Sequence, residues 1–255
     1  MTTVPAQGTS GTVNPDGRLA PKENSCPRST GSASTANSSN WWPTWPTWPT
    51  WPTWPTWPTW PTWPTWPTLV ATATDDSTHA LLSTSPELAD GVVSRRRRIE
   101  TQAEDIDNKT SELLTLQSPV ARDHRLLVSV LRACSALRRI GDLALHIASI
   151  ALRRAPGPAV PESFYPAVGT LADAVSLVTH AASRTIRTGQ EPDPALRALD
   201  DGVDALHRRL LAQLSGGSAG LAADTTVDLT LPGRYYERIG DQSLNAAAGA
   251  PTRPG

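Results

Sequence analysis

The tetrapeptide Arg-Ile-Gly-Asp occurs twice in this chain, at Arg139–Asp142 and at Arg238–Asp241, each time inside a long segment patterned as helix. The surroundings repeat as well. RRIGDLALHIA (Arg138–Ala148) and ERIGDQSLNAA (Glu237–Ala247) are each preceded by a shorter helical pattern with acidic residues and a loop. A helix with one apolar stripe must hide it against neighbours, so a duplicated helical unit predicts paired or stacked bundles.

Of the 255 residues, the first 68 offer no core. Residues 1–40 are rich in Gly, Ser, Thr and Asn without any period, which reads as disorder. From Trp42 to Thr68 the chain repeats Trp-Pro-Thr, and all ten tryptophans fall within Trp41–Trp66. Proline at every third position removes backbone donors and clashes with the preceding turn, so the tract is no α-helix. Its spacing matches polyproline II, with the indoles along one edge. It is either an aromatic strip for a partner or, the reading we favour, an expanded codon repeat or altered start without a selected role. The folding unit is then the Ala-, Leu-, Arg- and Asp-rich remainder.

A net charge of −1 gives no global attraction to nucleic acid or anionic membrane. The run Arg95–Arg98 reads as a solvated helix face. Cys26 and Cys134 differ in context and imply no disulfide framework. There is no apolar run of about 18 residues for a membrane helix and no apolar leader at the N-terminus, so we expect a cytoplasmic protein.

Helical patterning is faint from Leu69 and firm at Ser85-Pro86-Glu87, a cap, a first-turn proline and an acid suited to the helix dipole. That helix carries Leu88, Val92, Ile99, Ile106, Leu113 and Leu114 to about Leu116. Ser118-Pro119 repeats the start signal, and Leu127, Val130, Cys134, Leu137, Gly141, Ala144 and Ala148 make a bundle seam. After the breaks at Ala155–Pro158 and Pro161, a helix over residues 163–187 presents Val168, Leu171, Val175, Leu177 and Val178. Asp193-Pro194 opens a fifth helix ending near Leu214. The sixth spans residues 219–247, with Pro232-Gly233 expected to kink it or delay its start. The second half is a three-helix unit. The first shows two firm helices, with the tryptophan tract where a third should stand.

No nucleophile triad, phosphate loop or dinucleotide motif is present. The histidines (His79, His124, His146, His180, His207) are scattered, and His207, three residues after Asp204, reads as a rim residue. The informative acids are spaced i, i+4: Asp200 with Asp204, and Glu237 with Asp241. That spacing puts both carboxylates on one helix face. Two such helices side by side converge four hard oxygen donors on one cation.

The paired Arg-Ile-Gly-Asp helices, SPVARDHRLL (Ser118–Leu127), AVPESF (Ala159–Phe164), LDDGVDALHRRLLAQL (Leu199–Leu214) and GRYYERIGDQSLNAA (Gly233–Ala247) resemble the PhoU family of phosphate-signalling proteins, actinobacterial type, over roughly residues 85–248. The resemblance implies an all-α protein of two tandem three-helix bundles: residues 69–155 as a first repeat lacking most of its first helix, 156–248 as a complete second repeat, and 249–255 as a tail. It further implies a cytosolic, non-enzymatic negative regulator of phosphate uptake and starvation signalling. Such a regulator acts as a homodimer and as adaptor between the ATPase subunit of a phosphate ABC transporter and a sensor histidine kinase. The alternatives are a divergent paralogue with only a scaffolding or dimerising role and, less favoured, a carboxylate-bundle metal enzyme.

The resemblance also implies metal sites at E/D-x-x-x-D motifs, two motifs per repeat. The second repeat carries both, Asp200 with Asp204 and Glu237 with Asp241, for iron, zinc, manganese or magnesium. The first is degraded: Arg96 stands before Glu100 and Arg138 before Asp142, where the family has acids. Two guanidiniums facing Glu100 and Asp142 move the local charge by about four units and turn a cation site into ion pairs. Metal is expected in the second repeat only.

Overall fold

Ser85 does what its position suggested: its hydroxyl accepts from the Leu88 amide at 3.3 Å and donates to Glu87 at 2.9 Å, opening a long helix. The computed structural model describes residues 65–117, 122–217 and 221–250. The expectations for residues 1–64, for the Ser118-Pro119 start and for residues 251–255 lie outside that range. Among the described residues there are six α-helices: α1 Trp66–Ser83, α2 Pro86–Gln117, α3 Arg122–Arg154, α4 Tyr165–Thr188, α5 Ala195–Gly217 and α6 Ala223–Ala248. A 3-10 turn at Glu162–Phe164 precedes α4.

Helices α1, α2 and α3 pack on one another, as do α4, α5 and α6; α3 against α6 and α1 against α4 join the two groups. One apolar cluster runs through both, from Trp66, Leu81, Ile106, Leu137 and Ile147 to Leu171, Val175, Leu210, Tyr236 and Ile239. Polar ties cross the same seam. Tyr236 and Thr78 share a hydrogen bond of 2.9 Å, and Asp75 accepts from Ser176 at 2.8 Å and faces His180 at 2.7 Å. Arg154 pairs with Asp224 at 3.0 Å and with Asp228.

The first repeat has more of its first helix than the sequence reading allowed. Where helical patterning is only faint from Leu69, α1 runs for 18 residues, and the last Trp-Pro-Thr unit belongs to it. Pro67 sits in the first turn, where its missing donor costs nothing. The buried face is Trp66, Val70, Ala71, Ala73, Thr74, Ser77, Ala80 and Leu81. Its small polar members return their hydroxyls to the helix backbone, Thr74 to the Val70 carbonyl and Ser77 to that of Thr74. A stripe of Ala, Thr and Ser hides well but gives little hydrophobic period.

Other boundaries shift. α5 continues through Gly217, and α6 starts at Ala223 and passes Pro232 as one helix. Leu177, assigned to the apolar side of α4, is 61 % exposed, because it lies off the stripe formed by Val168, Leu171, Val175 and Val178. No helix among the described residues is long and apolar enough to cross a membrane.

Candidate functional site

Helix α6 presents two glycines to α5, two turns apart. A Cβ on Gly240 would stand 2.6 Å from Asp200 Oδ1, and one on Gly233 would stand 3.1 Å from Leu210 Cδ2 and 3.3 Å from His207 Cδ2. The missing side chains let α5 seat a carboxylate and an imidazole directly against the α6 backbone. Glu237, half-buried, lies one turn after Gly233 on the same side of α6, whereas Asp241, next to Gly240, is exposed at the edge of the seam.

Of the four acids, Asp200 is the one whose carboxyl is perturbed by the others. Burial pushes the Asp200 carboxyl up to about 6, and the charges of Asp241, Asp204, Asp201 and Glu237 add to the rise. Desolvation and like charge both disfavour the ionised form of that carboxyl. Glu237 Oε2 is buried and carries no hydrogen bond, while Oε1 forms an ion pair with Arg234 Nη1 at 2.6 Å. Asp204 is loosely paired with Arg208 at 3.9 Å. Among the described residues no three His, Cys, Asp or Glu side chains stand in ligating geometry. The oxygen donors and the unpartnered Glu237 Oε2 are of the chemical kind that a hard or borderline cation takes.

His207 is not at the rim. It is 8 % exposed, wedged against Gly233. Burial pulls its pKa below the ordinary histidine value, opposed by the charges of Glu237 and Asp204 and assisted by those of Arg234 and Arg208. The signal that could have placed it there is Gly233, read above only as part of a helix break.

The first repeat is built differently. Arg96, Glu100, Arg138, Gly141 and Asp142 line a pocket of about 170 Å³ whose floor is Ala73, Val92, Ile99 and Leu145. Arg96 Nε donates to Glu100 at 2.8 Å, and Glu100, with Asp142 adding its charge, holds that guanidinium more firmly protonated. Arg138 departs from expectation. Rather than pairing with Asp142 on its own helix, it reaches across to Asp107 of α2 at 3.7 Å, which its long side chain can span.

A family model described as the PhoU domain matches residues 68–151, the first repeat. The chain is 34 % identical over 182 residues to a phosphate-specific transport system accessory protein PhoU homolog 1 of Mycobacterium leprae, covering 70 % of this chain and 81 % of that protein. It is 35 % identical over 182 residues to homolog 2 of Mycobacterium tuberculosis, covering 70 % and 84 %. Among solved structures, PhoU from Pseudomonas aeruginosa superposes with a TM-score of 0.60 at 24 % identity, covering 71 % of this chain and 88 % of that one. The phosphate transport system regulatory protein PhoU from Streptococcus pneumoniae gives 0.64 at 18 %, covering 73 % and 88 %. These two support the fold, and the mycobacterial relatives span both repeats: the chain belongs to the PhoU family.

Proposed function

We propose that this protein is an accessory regulator of phosphate transport that restrains phosphate uptake and phosphate-starvation signalling. The observation that carries this reading is the match to mycobacterial phosphate-specific transport accessory proteins across most of their length and both helical repeats. It works as a non-enzymatic adaptor, homodimeric and cytoplasmic, between the ATPase subunit of a phosphate ABC transporter and a sensor histidine kinase. The extended helical faces of α2 and α5 are the kind of surface such bridging uses.

In this reading Asp200, Asp204, Glu237 and Asp241 hold a divalent or trivalent cation, iron, zinc, manganese or magnesium. The cation supplies positive charge that locks α5 to α6, and the residues themselves set its place: Gly240 admits Asp200, and Glu237 turns one oxygen inward. The first repeat holds its corresponding pocket with the Arg96–Glu100 pair instead. Those arginines also favour a second reading, a paralogue that keeps only a scaffolding role.

Expression in a mycobacterium lacking its PhoU homologues separates the two. The adaptor reading expects phosphate-responsive repression to return and the transporter ATPase subunit to co-purify. A folded, abundant protein that restores neither leaves the scaffold reading. Elemental analysis of the full chain beside an Asp204→Ala, Asp241→Ala variant expects bound metal that the variant loses.

A further inference from the structure

The Trp-Pro-Thr repeat has no role in phosphate regulation as proposed above, yet its last tryptophan shows what its rings can do. Trp66 is fully buried at the first residue of α1, in one apolar cluster with Ile106 of α2. Its height along the bundle follows from neighbouring contacts. Asp76 of α1 pairs with Arg95 of α2. The two helices run antiparallel with the same rise, so about ten residues back along α1 and forward along α2 bring Trp66 level with Asp105. Helix α6 ends near the same height: a Cβ on Gly249 would stand 3.4 Å from Arg132 Cβ and 3.7 Å from the Ala133 amide nitrogen of α3.

Residues 106–117 of α2 and 122–131 of α3 therefore project past α1 and α6 as a two-helix arm, about 17 Å long at the rise of an α-helix. Helix α2 packs on α1 and α3, and α3 on α1, α2 and α6, so no described helix packs along the arm. Its seam is nevertheless dry. Ile106 and Thr110 are fully buried, and Leu127 and Val130 are 2 % exposed, with Leu113 and Leu126 half-buried beside them. Thr110 returns its hydroxyl to the Ile106 carbonyl at 2.7 Å, so the seam makes no polar demand on whatever covers it. Two helices alone leave the flanks of such a stripe in water, and a bundle closes them with a third element.

We propose that Trp60–Thr65, the two Trp-Pro-Thr units before α1, form an intramolecular strap along this arm and complete the first bundle in place of a longer α1. Trp60–Pro64 lie outside the described residues, but the chain enters α1 at the base of the arm. Six residues of polyproline II span about 19 Å, the length of the arm, whereas six residues of helix would span about 9 Å. The repeat sets an indole at every third position along one edge, continuing the row that Trp66 begins. Each indole carries a large apolar surface into an aliphatic seam, and the prolines reduce the entropy lost on ordering. A second copy of the chain would have to displace a segment tethered at Trp66, whose effective concentration favours the strap.

The test is hydrogen exchange, read by mass spectrometry on the full chain, for wild type, a Trp60→Ala, Trp63→Ala variant and a control, Trp45→Ala, Trp48→Ala, farther up the repeat. We expect amides of residues 106–117 and 122–131 to exchange faster by about tenfold or more in the first variant, less than the loss of one fully packed indole would give. Amides of α4 and α5 should keep their wild-type rates, as should the whole control. Unaltered exchange of the arm in the first variant overturns the strap. Equal acceleration by both pairs also overturns it, because distance from Trp66 then has no bearing on which rings cover the arm. Arm protection that falls on dilution, with both variants like wild type, assigns the seam to a second copy of the chain and overturns the strap as well. If the first variant does not fold, a benzophenone amino acid at position 60 of the otherwise unchanged chain decides. Crosslinks within one chain to residues 106–131 support the strap, and crosslinks only elsewhere or only between copies refute it.

Discussion

At residue scale, the seam glycines predict opposite outcomes for one substitution. Alanine gains about 1 kcal/mol of helix propensity over glycine. At Gly240 the new methyl displaces Asp200, whose carboxylate is held against burial and four acidic neighbours. Moving that group toward water relieves it, so Gly240→Ala should raise the urea midpoint of the metal-free protein by an equivalent of about 1 kcal/mol. At Gly141 the methyl meets the branched side chain of Ile99 at 3.1 Å, and overpacking should cancel the gain. Equal effects at both positions in urea titrations with chelator present would contradict a strained acid seat. A second residue, Cys134, has its thiol pushed up to about 12, chiefly by burial. Its unfolded value is near 9.0, so the folded state holds the proton more tightly. The stability this contributes is fully present below pH 9 and is lost as pH rises toward 12, at up to about 1.4 kcal/mol per pH unit. Cys134→Ala should flatten that alkaline slope relative to wild type. In a Cys26→Ser background, the remaining thiol should react with a disulfide reagent at pH 8 only after denaturant is added.

At the scale of elements, what could be read from the sequence depended on how loudly a buried stripe speaks. The seam of α3 is written in Leu, Val and Ile, and all of Leu127, Val130, Cys134, Leu137, Ala144 and Ala148 are buried. Ser85 and Asp193 announced α2 and α5 through side chains that cap them, Asp193 Oδ1 accepting from the Ala195 amide at 2.9 Å. Helix α1 was faint because its face is small and hydroxylated, and because a proline repeat runs into its first turn. The four acids were legible as two i, i+4 pairs. His207 was not, since only tertiary packing shows that Gly233 opens a seat for it. The repeat that seemed foreign to the fold supplies its anchor. Trp66, the last tryptophan of the tract, is fully buried at the start of α1. Trp66→Ala should therefore destabilise the protein by about 3–5 kcal/mol, the range for deleting a large buried aromatic, read as a lowered urea midpoint by circular dichroism. A loss below about 1 kcal/mol would mean that the indole is not part of the core.

At the scale of the whole molecule, the duplicated unit folds as one body. The apolar cluster is continuous from α1 to α6, and the seam between repeats is closed at three places: Asp75 with Ser176 and His180, Thr78 with Tyr236, and Arg154 with Asp224 and Asp228. Neither three-helix group can leave without exposing its neighbour's apolar face, which is the condition for all-or-none unfolding. The described unit should show one calorimetric transition with equal calorimetric and van't Hoff enthalpies. Tyr236→Phe is the sharper probe, because the residue belongs to the second repeat and its hydroxyl bonds to the first. Removing that oxygen leaves Thr78 without its cross-repeat partner, at a cost of about 1 kcal/mol. With a shared core, the single transition moves down as a whole and stays single. With independent repeats, the variant would split the transition or leave part of it in place. On the proposed reading of the second-repeat acids, a cation that tightened α5 on α6 would also tighten α3 and α1, which pack on α6 and α4. Excess metal should then stabilise the one transition by an amount that grows with the logarithm of its concentration over Kd and protect α1 amides from hydrogen exchange as strongly as those of α5.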